Sequence, residues 1–371
     1  MPKASYLIIF LLFLLQFIYY PIGVSHFETP KIYTAEFCIF LLALLFLFTQ
    51  KKINLVNFQK KSIICFSLLI VITFIDLVFF RTSISFFGNS FRLQGIFLLW
   101  MLLLFAFLTA NISVKNQLHT WFLVSVLFLQ LIFTLVLQGQ GSRLVGTIGE
   151  PNALAANIVF LWPFLYFQQQ KVAWKVVSIL IACVVIFLSG SRSGMLAIGI
   201  QLFFIFLTTR IHIPLKKTLL VCLFLILCTY LLPSVDTTGP YENRMDVWQS
   251  AIRAGFAQPI IGSGFGNIQY ALITAAKTFP NNLGLSFVDS SHNIFLDWFV
   301  QGGSIGIGVF LYLLYQSFLF FIQKKDVLHI VLLLGLISVL SFNPASIVTL
   351  VALWWLIGQG TLKNKKINEA I

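Results

Sequence analysis

The residues able to do chemistry in this chain are few, and they gather between its apolar runs. Arg192 stands in Ser189-Gly-Ser-Arg-Ser-Gly194, a string of small residues that permits a tight turn before the next run. A helix starting there points free N–H groups outward, and a guanidinium beside them completes an anion site. The plainer reading, a turn whose arginine touches lipid headgroups, weighs the same on local sequence alone. Arg244 belongs to a stretch after Pro240 that reads as a surface helix, with Glu242 and Asp246 suited to the positive end of its dipole. At roughly 100° per residue, Met245, Trp248, Ile252 and Phe256 share one face; Asp246, Gln249, Ser250 and Arg253 lie opposite. Arg244 falls at the edge of the apolar face, where a guanidinium must snorkel or meet an anion. Arg253 falls on the polar face, as a solvated charge.

His292 follows Asp289-Ser-Ser and precedes Asn293-Ile-Phe-Leu-Asp-Trp-Phe. Ser290 or Ser291 is expected to cap a helix whose first turn contains the histidine. The positive end of a helix disfavours imidazolium, leaving a neutral ring able to accept a proton. A lone histidine is ordinarily a cap or a headgroup contact; the company of Arg192 and Arg244 favours the chemical reading. A further loop, Arg143-Leu-Val-Gly-Thr-Ile-Gly-Glu-Pro-Asn152, ends at a helix whose first turn holds Asn152. Gly262-Ser-Gly-Phe-Gly266 has no βαβ surroundings, so it reads as a flexible turn rather than a nucleotide loop.

The elements that must position these loops are membrane helices. The chain is 59% hydrophobic and 9% charged, with a mean hydropathy of +0.96, whereas about a quarter of a globular chain is charged. Long Leu/Ile runs and 41 Phe, with little alternation, favour helices over a barrel. Runs able to span about 30 Å of hydrocarbon lie at about 5–24, 34–49, 62–80, 94–110, 118–138, 152–168, 172–189, 194–209, 217–232, 300–322, 327–342 and 345–361. The expected fold is an all-α polytopic membrane protein of about 12 transmembrane helices, one integral domain over residues 1–371, with a large loop at 233–300 containing short helices. The first run is long for a signal peptide and lacks a cleavage site, so it reads as the first span.

Alternate connections and both termini hold 16 of the 24 Lys and Arg but only two acids, Asp326 and Glu369. By the positive-inside rule the termini are cytoplasmic and 233–300 faces outward. The net charge of +13 is therefore a topology signal and no indication of nucleic acid. The outward side carries six Arg and two Lys, and the planar arginine fork suits bidentate phosphate recognition. The five cysteines sit inside apolar runs without metal or disulfide spacing, and no HExxH, Walker or GxSxG motif occurs. No cofactor and no metal site are expected. Twelve spans suit a polysaccharide or lipid exporter too, but ionisable residues are scarce within the spans, and the long loop after the ninth breaks a six-plus-six symmetry.

Taken in order, Arg143…Gly146-Thr-Ile-Gly-Glu-Pro-Asn152, Ser191-Arg192-Ser-Gly194, Arg244-x-x-x-Trp248, Pro259-Ile-Ile-Gly-Ser-Gly-Phe-Gly266 and Ser291-His292-Asn293 with Gly302-Gly303 resemble the O-antigen ligase and polymerase superfamily over residues 140–310. The resemblance implies a metal-independent glycosyltransferase of the plasma membrane. Such an enzyme moves a glycan from an undecaprenyl-diphosphate carrier to a glycan or lipid acceptor on the outer face, as ligase or as repeat-unit polymerase. By the family pattern Arg192 and Arg244 bind the diphosphate and His292 assists attack by the acceptor hydroxyl; Arg143, Asn152 and Asn293 complete the expected substrate-binding set. Relatives often carry an acidic residue near the glycines after His292, where this chain has Gln301.

Overall fold

The computed structural model describes residues 2–20, 25–48, 58–80, 82–110, 112, 118–137, 143–168, 171–230, 244–281 and 288–362. They form helices and no β-sheet. In chain order these are α1 (Pro2–Ile9, prolonged by a π-helical and a 3-10 turn to Phe17), α2 (Glu28–Phe48), α3 (Lys60–Phe80), α4 (Ser83–Phe87), α5 (Ile96–Thr109), α6 (Thr120–Val136), α7 (Pro151–Gln168) and α8 (Val172–Ser189). There follow α9 (Arg192–Thr209), α10 (Leu215–Thr229), α11 (Arg244–Ala257), α12 (Ile268–Ala276), α13 (Ile294–Gln323), α14 (Val327–Leu340) and α15 (Ile347–Gly360). A helix lies at each of the twelve apolar runs. Five are long and apolar enough to cross a membrane: Glu28–Phe48, Lys60–Phe79, Val172–Ser189, Arg192–Thr209 and Ile294–Gln323.

The core sits around α7, α14 and α15, which are buried on nearly every side, as helices apolar all round must be. One buried amide ties three of the inner helices together. Gln201 on α9 donates to the carbonyls of Val159 at 3.0 Å and Val331 at 2.9 Å and accepts from Trp162 Nε1 at 2.7 Å. Gly335 of α14 packs directly against that amide, where a Cβ would collide. Small residues allow such close approach between helices in lipid. The outer helices α2, α3, α8 and α10 expose Phe48, Phe79, Phe187 and Leu227, the kind of surface a bilayer covers.

Hydrogen bonds sort the connections to two ends. At one, Gln59 N donates to the Thr361 carbonyl, Gln359 reaches the carbonyls of Thr109 and Ile112, and Gln168 reaches Leu118. At the other, Lys31 joins Thr147, Arg92 joins Asp289, Arg143 joins Ser189 and Asn293 joins Tyr230. All the candidate site residues lie in this second set of connections. Pro240, Asp236, Glu242 and Arg81 lie outside the described residues.

Two local expectations are corrected. The glycine loop is no flexible turn. α13 breaks at Gly303 (φ 59°, ψ −160°), and the loop docks into the break. Ser263 N and Gly264 N donate to the carbonyls of Val300 and Gln301 at 2.8 and 3.0 Å, and Ser304 N returns a bond to the Pro259 carbonyl at 2.8 Å. Gly262 (φ 75°) and Gly303 are left-handed, and a Cβ on either would run into backbone. Gln301 accepts from Gly266 N at 3.0 Å and donates to the Asp297 carbonyl at 3.2 Å, so its amide closes this joint. The second correction concerns α11. Its buried stripe is Val247, Ser250, Ala251 and Ala254, packed on α12 and α13, while Met245, Ile252 and Phe256 are exposed. Small residues win that side because the helices approach closely; Gly255 lies against the Phe299 ring.

Candidate active site at one end of the bundle

The turn that carries Arg192 is built as its small residues require. α8 ends at Gly190 in the left-handed region (φ 60°), and the Ser191 side chain caps α9 by accepting from Gly194 N at 3.3 Å. Arg192 is then the first residue of α9, exposed at the positive helix end. Gly194 leaves room for Ala155 of α7. Arg143 lies across the turn: its Nε donates to the Ser189 carbonyl at 2.9 Å and its Nη2 to Asn152 Oδ1 at 2.9 Å. Asn152, in the first turn of α7, thus orients Arg143.

Arg244 opens α11 and faces the same place. Surrounding protein mass desolvates its guanidinium and lowers its affinity for a proton, although an edge stays solvent-accessible; the charges of Arg143 and Arg192 push the same way, and Glu150 opposes. Arg143 is shifted down likewise, by burial first, with Glu150 opposing and Arg192 reinforcing. Three guanidiniums that repel one another therefore converge from α9, α11 and the loop before α7. Among the described residues neither Arg192 nor Arg244 has a hydrogen-bond partner or an ion pair. Unneutralised arginine forks held together are a receptor for a polyanion.

The histidine side differs from the sequence expectation. α13 starts at Ile294, and its N-cap is Asn293, whose Oδ1 accepts from Phe295 N at 2.9 Å and Leu296 N at 3.3 Å. His292 precedes the cap, half-buried and in the left-handed region (φ 56°), so it is not in the first turn. Ser290 and Ser291 do not cap the helix because Asp297 claims them. Ser290 Oγ donates to Asp297 Oδ2 at 2.7 Å, and Ser291 N donates to Asp297 Oδ1 at 2.7 Å. His292 N in turn donates to Ser290 Oγ at 3.1 Å, and the Asp297 carboxylate acts electrostatically on the imidazole. A left-handed non-glycine residue persists where surrounding contacts over-determine it, which is common at functional sites.

Residues outside the expected set join the two halves. Asn293 Nδ2 donates to the Tyr230 hydroxyl at 3.1 Å, and the Tyr230 ring packs on Trp248, one turn along α11 from Arg244, at 5.5 Å. Asp289 forms a buried ion pair with Arg92, Nε to Oδ2 2.6 Å, and Arg92 Nη2 lies 4.0 Å from Glu150. The three carboxylates Asp289, Glu150 and Glu28 keep the Arg92 guanidinium firmly charged despite burial, which alone would lower it. Arg92 and Lys31, counted with the outward basic residues, are thus interior struts; Lys31 Nζ donates to the Phe27 and Thr147 carbonyls, each at 2.8 Å. Arg253 stacks 4.5 Å over Phe279 and reaches Thr278 at 3.2 Å, so it belongs to the α11–α12 packing and not to the arginine cluster. Among the described residues no three His, Cys, Asp or Glu side chains cluster as a metal site would.

Residues 177–311, which carry Arg192, Arg244, His292 and the α13 break, match the sequence model of the O-antigen ligase family. The match places residues 177–311 with the O-antigen ligase superfamily. No curated protein matches it. The O-antigen ligase region takes in Arg192, Arg244 and the histidine loop, whereas Arg92, Arg143, Glu150 and Asn152 precede it and are brought in by the fold. Members of this superfamily are glycosyltransferase-type ligases and polymerases of lipid-linked glycans, and the apolar helices agree with an integral membrane protein.

Proposed function

We propose that the protein is a glycosyltransferase of the plasma membrane that moves a glycan from undecaprenyl diphosphate to a hydroxyl of a glycan or lipid acceptor on the outer face. The observation that carries this reading is the pair of guanidiniums, Arg192 and Arg244, which have no hydrogen-bond or ion-pair partner among the described residues and converge with Arg143 at the end of the bundle that also presents His292. The arginines hold the diphosphate and stabilise the charge that grows on it as the anomeric C–O bond breaks, electrostatic work that elsewhere falls to a divalent metal. The acceptor oxygen bonds to the anomeric carbon, its proton passes to His292, and undecaprenyl diphosphate departs. Asn152 orients Arg143; Asn293 and Asp297 hold the histidine loop.

Purified protein given lipid-linked donor and acceptor is expected to transfer glycan undiminished in EDTA. A strong requirement for added divalent metal would overturn the arginine-plus-histidine chemistry and move the search to Asp246, Asp289 and the loop carboxylates Asp236 and Glu242.

This reading also needs twelve spans, cytoplasmic termini and an outward 233–300 loop, as the Lys/Arg asymmetry implies. Gln249 is exposed on α11, so a cysteine there in an otherwise cysteine-free chain should react with impermeant maleimide in intact cells. Reaction only after lysis would reverse the orientation.

A further inference from the structure

Glu150 lies before the region matched to the family. Its carbonyl accepts from Leu154 N at 2.9 Å, which fixes it at the start of α7, two residues before the Asn152 that orients Arg143. Its carboxylate is 34% exposed and approaches one cation among the described residues, Arg92, at 4.0 Å, beyond hydrogen-bond range. That cation is already matched by Asp289 at 2.6 Å. The Glu150 charge is also felt by Arg143 and Arg244, and it occupies no donor of either among the described residues.

Three guanidiniums and one carboxylate leave the pocket two positive charges. A glycan-linked undecaprenyl diphosphate is a diphosphate diester with two negative charges. When the anomeric C–O bond breaks, the leaving group becomes a monoester and keeps the bond's electron pair, gaining a charge that this pocket does not match. We propose that Glu150 sets the charge of the anion pocket so that it fits the diester donor and lets the monoester product go. The inference rests on the reading of the arginines as a diphosphate site.

The test is binding of farnesyl diphosphate, a soluble prenyl diphosphate monoester, to the full chain in detergent. Glu150→Gln should bind it roughly three- to thirtyfold tighter than wild type, as expected for one unit charge several ångström away near a protein surface. The gain should shrink as salt is raised, and Glu150→Asp should behave as wild type. In turnover, Glu150→Gln should show a lower donor KM, a lower kcat and stronger inhibition by farnesyl diphosphate. Binding by Glu150→Gln that is unchanged or weaker, while Arg192→Ala loses binding, overturns the role of Glu150 alone. Weaker binding together with a lowered melting temperature assigns Glu150 to scaffolding and counts equally against it. If wild type does not bind, or Arg192→Ala binds as wild type does, the diphosphate reading falls and this inference with it.

Discussion

Replacing His292 by alanine is expected to slow glycan transfer by about 10²–10⁴-fold, the usual loss when a general base is removed. Donor binding should survive, because the arginines that hold the diphosphate come from α9, α11 and the loop before α7. His292 sits at φ 56°, where alanine is strained. His292→Asn is therefore the better variant: asparagine tolerates the left-handed region and removes the base. Both variants should appear inactive in cells and show residual turnover when purified protein is assayed with excess donor. Transfer by His292→Asn within a fewfold of wild type would remove the histidine from the chemistry and leave it as a loop residue held by Ser290 and Asp297.

Arg244→Ala is expected to lower transfer by roughly 10²–10³-fold, the loss typical of one preorganised donor to a developing anion. Protein level should stay near normal, because Arg244 is exposed and makes no hydrogen bond or ion pair within the described residues. Arg244→Lys should recover little, since an ammonium cannot reproduce the bidentate fork. Arg253, about two and a half turns further along the same helix, supplies the control. Arg253→Ala loses a stacking contact with Phe279 and a bond to Thr278, so its effect should be on thermal stability and hardly on transfer. Equal losses of transfer at both positions would show that overall charge near α11, and no directed contact, governs the activity.

Much of this protein was legible before any coordinates. Helices follow from apolar runs because an unpaired backbone in lipid is too costly to leave unsatisfied; each run is a helix and five meet the length and hydropathy of a span. The motif order pointed to the superfamily whose model matches residues 177–311.

What the tertiary structure alone decided concerns partners distant in sequence. Arg92 and Asp289 are 197 residues apart, and the sequence places Arg92 among the outward basic residues without showing that it is buried in an ion pair. Periodicity put Met245, Trp248, Ile252 and Phe256 on one apolar face of α11, but close approach selected Val247, Ala251 and Ala254 for packing. The cap of α13 moved from Ser290 or Ser291 to Asn293 because Asp297, one turn inside the helix, reaches back and takes both serines. That competition displaced His292 from the helix into its left-handed turn. Local sequence determines which groups are able to bond; which bond each makes depends on everything that packs beside it.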